Sequence, residues 1–295
     1  MPKSSMYRTF WQRQRALSAI RHPAEMARSK HLCISCTQTE LPAAQQRRLV
    51  SGWCDLLPTL DGVRLLQFDS QVPQSLFDAA CRMRNLEALW IKWSSIKSLE
   101  HLSSSGALRH LHLGSSAQIR SIVPLGRMPR LKSLSLQNIK RITDLGPLKS
   151  LTRLEELAIS GDMWGHQKVK SLAPLGELQS LKWLHLGGVR SLDESLRPLD
   201  NLRRLRVVVV NLGEYPLEEL AWLSVRFSKI DHGVRSYSDF DGKYSVAPCK
   251  QCRRRSMVLT FGKGRSRNLC QVCDADKLAA HIACFNDCVA ACSAT

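Results

Sequence analysis

The hydrophobic residues in the middle of the chain repeat: a leucine is followed by another three positions later and by an aliphatic residue two positions further on. The complete units begin at Leu86, Leu108, Leu131, Leu154 and Leu181, and weaker copies begin at Val63 and Leu205. The alternation that ends each unit has the period of a β-strand, so its leucines point to one side of the chain. Successive units start 22 to 27 residues apart, which is typical of a solenoid.

A second element recurs behind the strands, as a Pro-Leu pair. It occurs as Pro124-Leu125, Pro147-Leu148, Pro174-Leu175 and Pro198-Leu199. We expect a short turn at each pair, which returns the chain along the back of the repeat. An array of paired helices is the alternative, but proline interrupts helices and each unit is too short for two of them. The pattern therefore predicts an α/β solenoid whose stacked coils share one apolar core.

The leucine-rich repeats of bacterial internalins resemble these units, most clearly in residues 131–152, which read LKSLSLQNIKRITDLGPLKSLT. The resemblance covers about 63–227 and implies a horseshoe of about seven coils with a parallel sheet on its concave face. The family usually has asparagine three residues after the third leucine. Those positions hold Ser94, Ser116, Ile139, Asp162 and Val189, so we expect the turns to vary in shape. The longest unit adds residues 160–170, which we expect to protrude as a loop.

The regions that flank the repeats differ in character, and residues 1–31 contain seven basic residues but one acidic residue. We expect a disordered leader there. The alternatives are a mitochondrial transit peptide and a start codon assigned upstream of a true start at Met26. The predicted divisions are a disordered basic leader (1–31), an N-terminal cap with a strand and a helix (32–62), the leucine-rich repeats (63–230), a linker (231–248) and a zinc-ribbon-like domain with a terminal helix (249–295).

The side chains between the leucines of each strand face the open side of the sheet, which is the extended surface that solenoid proteins use for binding. The predicted protein-binding residues are Trp90, Lys92, Arg109, His110, His112, Lys132, Glu155, Glu156, Lys182, Trp183, His185 and Arg206. Tryptophan is enriched in binding hot spots, so Trp90 and Trp183 are the expected anchors. The alternative is that both rings lie flat against neighbouring side chains. The mixed charge of this strip is unlike a uniformly basic nucleic-acid track.

The C-terminal region carries two Cys-x-x-Cys pairs with 17 residues between them. The four cysteines are Cys249, Cys252, Cys270 and Cys273. This spacing is typical of a tetrahedral zinc site, and the intervening residues predict a β-hairpin, so the segment resembles a zinc ribbon. Four sulfur ligands leave no open position for water, which predicts one structural Zn²⁺ per chain. Two independent redox dithiols are the alternative.

A helix is expected after the second cysteine pair, and it carries three further cysteines. Cys284, Cys288 and Cys292 share one broad face of this helix with His281. They form either a second metal site or a packed face of small residues, and their spacing does not choose between the two.

The density of the +18 net charge is highest in the leader and in the ribbon core, and the repeats are only mildly basic. The ribbon core, residues 249–273, contains seven basic residues and no acidic one. Its candidate phosphate contacts are Arg253, Arg254, Arg255, Lys263, Arg265 and Arg267. A solvated basic surface is the alternative, and one aromatic residue in the hairpin, Phe261, indicates weak readout of bases.

The sequence contains no glycine-rich phosphate loop, no GxSxG and no HExxH, so we expect no enzyme. It also lacks a secretory signal and any run of about 18 apolar residues, so we expect no membrane span. The leading hypothesis is a protein-interaction scaffold in the bacterial cytoplasm. Nucleic-acid binding through the ribbon is one alternative, and a translocated effector that binds a host protein is another.

Overall fold

The structure, a computed structural model, describes residues 8–14, 16–162, 165–239 and 247–294. Its strands are β1 (His31–Ile34), β2 (Leu65–Phe68), β3 (Ala88–Ile91), β4 (His110–Leu113), β5 (Ser133–Gln137), β6 (Glu156–Ser160), β7 (Gln167–Val169), β8 (Trp183–Gly187), β9 (Val189–Ser191), β10 (Val207–Val210), β11 (Tyr237–Asp239), β12 (Met257–Thr260) and β13 (Asn268–Cys270). Its α-helices are α1 (Phe10–Arg13), α2 (Ala43–Leu56), α3 (Gln74–Cys81), α4 (Leu217–Arg226) and α5 (Ala275–Ser293).

The repeats form one parallel sheet of eight strands, in the order β1-β2-β3-β4-β5-β6-β8-β10. Neighbouring strands pair in the same register, so equivalent residues of successive repeats form continuous rows. The middle row of the core consists of Leu66, Leu89, Leu111, Leu134, Leu157, Leu184 and Val208, all of them buried. Each buried leucine side chain contributes roughly 1.5–3 kcal/mol by leaving water. The predicted solenoid is confirmed.

Each predicted Pro-Leu turn is a short 3₁₀ helix on the back of the solenoid. These turns are Val123–Arg127, Gly146–Ser150, Ala173–Glu177 and Arg197–Asn201. Proline stands at the second position of each turn. A backbone N–H at this position would have no partner within the helix, so proline, which lacks an N–H, loses no hydrogen bond there. The leucine that follows each proline is buried. The first repeat returns through α3 instead, with Leu76 and Phe77 in the core.

Two serines occupy the position, three residues after the third leucine, where internalin repeats usually have asparagine. The hydroxyls of Ser94 and Ser116 lie 2.8 Å apart within hydrogen-bond distance, and Ser116 donates to the carbonyl of Gly114 at 2.9 Å. Both side chains are buried. The next equivalent residue, Ile139, is fully buried and packs as an apolar side chain. Serine and aliphatic residues thus replace the asparagines, which agrees with the expected variation between turns.

The first coil is covered by α2, whose Trp53 is fully buried and donates its Nε1–H to the carbonyl of Arg21 at 2.9 Å. Ile20 lies beside β1: its N–H donates to the Cys33 carbonyl and its carbonyl accepts from Ser35 N–H, both at 2.9 Å. A sheet edge presents unpaired backbone groups, and this contact satisfies some of them. Residues 16–31 therefore touch the solenoid, whereas the sequence predicts a disordered leader there.

The insertion at residues 160–170 is only partly a loop. Its last residues form β7, which pairs in parallel with β9 in a small second sheet. Gln167 is buried there, and its Nε2 donates to the carbonyl of Ile142 at 2.7 Å. Residues 163–164 lie outside the described part of the chain. The expected protrusion is thus tied down at its end by backbone pairing and a buried amide.

The C-terminal region packs on the last coil. Helix α4, for which the sequence made no prediction, packs against α5, and Phe285 of α5 belongs to the same apolar core as the repeats. The N–H groups of Gly262 and Lys263 donate to the carbonyls of Leu212 and Tyr215 at 2.9 and 2.7 Å. The predicted hairpin is β12 with β13, and β11 from the expected linker adds a third antiparallel strand.

Among the helices of the described residues, none has the length and apolar composition that a membrane crossing needs.

Candidate functional site

The four predicted zinc ligands come together at one end of the β12–β13 hairpin. All four Sγ atoms lie within 4.8 Å of one another. The Cys249 and Cys273 sulfurs are 3.9 Å apart, and those of Cys252 and Cys270 are 3.6 Å apart. Four thiolates around one Zn²⁺ at about 2.3 Å have sulfurs about 3.8 Å apart, by tetrahedral geometry. The donor set and its spacing therefore fit a zinc ion.

Backbone hydrogen bonds shape both cysteine turns. In the first, the Cys249 N–H donates to the Arg254 carbonyl, and the Arg253 N–H donates to the Cys249 carbonyl, both at 2.9 Å. Arg253 has a φ of +59°, in the left-handed region where glycine is most at ease. In the second turn, the Cys270 N–H donates to the Asp274 carboxylate at 3.0 Å. These contacts aim each cysteine pair at the shared centre.

The electrostatics of the second turn favour a thiolate at Cys270. A hydrogen bond from the Cys273 backbone N–H lowers the pKa of Cys270 to about 6, with a further contribution from the Ser256 hydroxyl, whereas the hydrogen bond with Cys252 raises the pKa of Cys273 to about 12. Zinc binds cysteine as the thiolate. Among the described residues, this cluster is the one group of three or more metal-ligating side chains brought this close. Cys284 and Cys288 instead pack half-buried against the core, which favours the packed interpretation of that helix face.

Two of the basic residues predicted to contact phosphate make contacts within the protein. Lys263 pairs with Glu194 of the repeats, and Arg265 donates to the Cys284 sulfur at 3.1 Å. Exposed side chains remain at Arg253, Arg254, Arg255 and Arg267. Part of the ribbon charge thus serves contacts within the protein.

The concave face consists of two rows of side chains that alternate with the core leucines. The first row is Leu65, Ala88, His110, Ser133, Glu156, Trp183 and Val207. The second row is Gln67, Trp90, His112, Ser135, Ala158, His185 and Val209. Six of the predicted binding residues lie in these rows. The others flank the strands, as Arg109, Lys132, Glu155, Lys182 and Arg206 before a strand and Lys92 after one.

Much of the first row is covered, although the sequence predicts an open strip. Glu156 is only 5% exposed and Ser133 3%, while His110 and Trp183 are half-buried. Exposed charges remain at Lys92, Arg109, Lys132 and Arg206. The centre of the face is therefore occupied, and its margins are open.

Residues 8–14, which we call the docked segment, lie on that centre. The Phe10 N–H donates to both carboxylate oxygens of Glu156, at 3.0 and 2.9 Å, and Arg13 lies 3.7 Å from the same carboxylate. The Phe10 ring stacks on His110, with centroids 3.5 Å apart and planes 5° from parallel. The Trp11 ring meets His112 edge-on at 6.3 Å. A predicted binding surface thus holds a segment of its own chain.

The docked segment is one helical turn with its own capping box. The Thr9 hydroxyl accepts from the Gln12 N–H at 3.4 Å, and the Gln12 side chain accepts from the Thr9 N–H at 2.9 Å. Such reciprocal bonds satisfy the free N–H groups at a helix start. These residues lie in the segment for which the sequence predicts a disordered leader. The signal in the sequence that marks them is the pair of adjacent aromatics, Phe10 and Trp11, inside an otherwise basic leader.

The tryptophans of the concave face stack on histidines. Trp90 lies 5.1 Å from His112 with planes 10° apart, and Trp183 lies 5.6 Å from His185 with planes 25° apart. Burial lowers the pKa of His112 to about 4 and also lowers that of His185. Both tryptophans are half-buried, so each ring has one covered face and some accessible surface.

One acidic residue on the strand margin, Glu155, lies within ion-pair distance of two lysines. Glu155 pairs with Lys182 and lies 3.9 Å from Lys132. The hydrogen bond from Lys182 is the largest cause of the lowered pKa of Glu155. These pairs leave Arg109 and Arg206 as the exposed arginines of the face.

Comparisons with solved structures address the fold. The chain is similar to an internalin, InlF, of Listeria monocytogenes, with 24% sequence identity and a TM-score of 0.51, over 60% of this chain and 48% of the internalin. The chain has the leucine-rich-repeat fold. A leucine-rich-repeat protein of Leptospira interrogans is also similar, with 17% identity and a TM-score of 0.47, over 60% of this chain and 50% of the other.

The leucine-rich-repeat chain spans about half the length of each of these structures. No protein-family model matches its sequence, and a search of curated proteins gave no match. The likeness therefore concerns the architecture of the repeats.

Proposed function

We propose that this leucine-rich-repeat protein is a non-enzymatic scaffold that binds a protein partner on its concave face. The observation that carries this proposal is the docked segment, a peptide held there by aromatic stacking and by a buried carboxylate. A surface that accommodates one peptide by these contacts has the chemistry to accommodate another. Trp90, Arg109, His112 and Trp183 are the proposed anchors for that partner.

A structural zinc ion in the four-cysteine cluster is the second part of the proposal. Four sulfurs would fill the tetrahedral sphere, so the ion would hold the hairpin together and take no part in a reaction. The tail in turn packs on the last coil through α4 and α5. The zinc would thus act on the scaffold by stabilising its C-terminal cap.

A reducing compartment, the bacterial cytoplasm, is the proposed location. All eleven cysteines fall within the described residues, and none of them forms a disulfide there. Disulfides are rare in such compartments, and paired cysteines there serve metals more often than crosslinks.

The test is partner capture by the purified chain as bait, comparing wild type with the Trp90→Ala/Trp183→Ala double variant. We expect the double variant to lose most of the capture, because truncated hot-spot tryptophans cost at least about tenfold in affinity. Trp222→Ala on α4 is the matched control, since Trp222 lies off the concave face. Equal capture by the double variant and the control would contradict the assignment of the face.

Nucleic-acid binding is a second candidate, favoured by the exposed run Arg253, Arg254 and Arg255 at the first cysteine turn. The same capture experiment reports it when the bound material is analysed for DNA and RNA. Phosphate contacts predict affinity that falls steeply with salt, and exchange of the three arginines for glutamine would abolish binding. Capture of a protein alone, insensitive to that exchange, supports the scaffold.

A further inference from the structure

We infer that the concave face between β4 and β6 binds a short segment of another protein that carries an aromatic residue followed three positions later by arginine. Phe10 and Arg13 of the docked segment have this chemistry and hold the same site when no such partner is present. The inference rests on the proposed function and names the class of peptide that it would recognise.

The carboxylate of Glu156 determines the first feature that a peptide needs in order to bind at this site. Equivalent positions on neighbouring strands are Ser133 and Trp183, so Glu156 is the one acidic side chain of the first row. A buried carboxylate is costly unless it is paired and hydrogen-bonded. Here it accepts the Phe10 N–H on both oxygens and pairs with Arg13. An occupant that brings a backbone donor and a cation to this point makes the same contacts with the carboxylate.

The ring of His110 sets the second requirement. It presents a flat face two strands from Glu156 in the same row, with Ser133 between them, and the Phe10 ring covers that face at 3.5 Å with nearly parallel planes. Burial, and after it the nearby charges of Lys132, Arg13 and Arg109, lower the pKa of His110 to about 4, so its neutral imidazole offers an uncharged stacking surface. A flat aromatic side chain fits this position, and its backbone then lies within reach of Glu156.

The docked segment does not satisfy the site fully. Trp11 Nε1 and His110 Nδ1 are buried and lack a hydrogen-bond partner among the described residues. An unsatisfied buried donor or acceptor costs free energy that a better-matched occupant recovers. Trp11 belongs to the docked segment, so a replacement that keeps the aromatic and the arginine, lacks the unpaired indole N–H and pairs His110 Nδ1 would bind more tightly than residues 8–14 do.

The tether explains why the chain's own segment still holds the site. Ile20 is fixed at the edge of β1 by two backbone hydrogen bonds, so only residues 15–19 separate the docked segment from an anchored point. A short tether gives an effective concentration of the order of millimolar. A free peptide of the same sequence would therefore compete poorly with the intact chain and bind well once the segment is removed.

The experiment uses a fluorescent peptide of residues 8–14 and follows its anisotropy with the intact chain and with a variant that lacks residues 1–14. We expect saturable binding to the truncated chain and at least about tenfold weaker binding to the intact one. Glu156→Gln in the truncated chain should weaken binding at least about tenfold, because it removes the charge that holds both donors. Glu177→Gln, on an exposed back turn, is the matched control.

Two further measurements test the same site if truncation disturbs the fold. The full-length Phe10→Ala variant should bind the peptide more tightly than wild type, because its own segment is weakened. A peptide in which alanine replaces the residue equivalent to Phe10 should not bind. Absence of saturable binding to both the truncated chain and the Phe10→Ala variant overturns the inference, and so does equal binding by the Glu156→Gln variant.

The two proposals fail separately. If the tryptophan-dependent capture of a protein partner persists while the peptide does not bind, the peptide class is wrong and the scaffold stands. If the peptide binds but no protein capture depends on the concave face, the site serves only the chain's own segment and the inference of a partner in trans is overturned.

Discussion

His112 lies in an aromatic stack on the concave face, with Trp90 at 5.1 Å and Trp11 at 6.3 Å. Burial lowers its pKa to about 4 from an ordinary value of 6.5. The pKa of His110 is also lowered to about 4, chiefly by burial and then by Lys132. Both imidazoles are therefore neutral at pH 7. The aromatic stacks at the centre of the concave face therefore involve uncharged rings. The charged contacts of this face are made by Glu156 and by the residues at its margins.

This burial makes stability depend on pH in a defined window. The unfolded chain binds protons on these histidines between about pH 4 and 6.5 and the folded chain does not, so stability rises with pH across that window. We expect the urea midpoint to fall when the pH is lowered from about 7 to about 4.5. His112→Phe should reduce this fall, whereas His31→Gln, an exposed position, should leave it unchanged. The same pH slope in the His112→Phe variant and wild type would contradict the assignment.

At the scale of elements, the β-sheet of the tail is too small to be stable through its own apolar contacts. Its separate apolar cluster contains Val258, Leu269 and Leu278, with Tyr237 and Ile282 packed against it. Domains with so little core usually need a metal or disulfides. A metal ion held by the four sulfurs at the end of the hairpin would provide such a link, since metal binding supplies folding free energy directly.

Cys252→Ser tests the link. We expect wild type to carry about one zinc ion per chain after purification and the variant to carry clearly less, because three thiolates bind the ion more weakly than four. The variant tail should also be cleaved faster in limited proteolysis. Cys292→Ser is the matched control, and its zinc content should equal that of wild type. A Cys252→Ser protein with full zinc content would exclude this cluster as the site.

At the scale of the molecule, one apolar core runs from Leu32 in β1 to Phe285 in α5. A solenoid has two open ends, and each exposes the leucines of its last coil unless another element covers them. Here α2 covers the first coil, and α4 with the tail covers the last. Phe285 of the tail therefore shares one apolar core with the repeats.

A chain that ends at residue 232 tests the cap. It lacks β11–β13 and α5, so the apolar side of α4 becomes exposed. We expect its unfolding temperature to fall by at least about 3 °C, as a loss of roughly 1 kcal/mol or more would cause, and we expect self-association at high concentration. The variant that lacks residues 1–14 is the comparison, because that deletion removes no core residue. Equal melting and a monomeric state for the shortened chain would show that the tail is no cap.

The sequence alone was sufficient for the parts of the structure that depend on local order. The spacing of the leucines determines which residues enter the core, because stacked coils must bury the same position in every repeat. The Pro-Leu pairs marked the turns, and the cysteine spacing marked the four sulfurs that meet at one point. Each of these signals lies within about one repeat length, where sequence distance and spatial distance agree.

Only the tertiary structure decided how the ends of the chain meet the repeats. Phe10 contacts Glu156 across 146 positions of sequence, and no periodicity marks such a pair. The register of the sheet places His110 and Glu156 in one row, and that row places a buried carboxylate two strands from a flat ring. Whether a segment with an aromatic and an arginine fills this place depends on shape, burial and the length of the tether. These properties arise only once the coils have stacked.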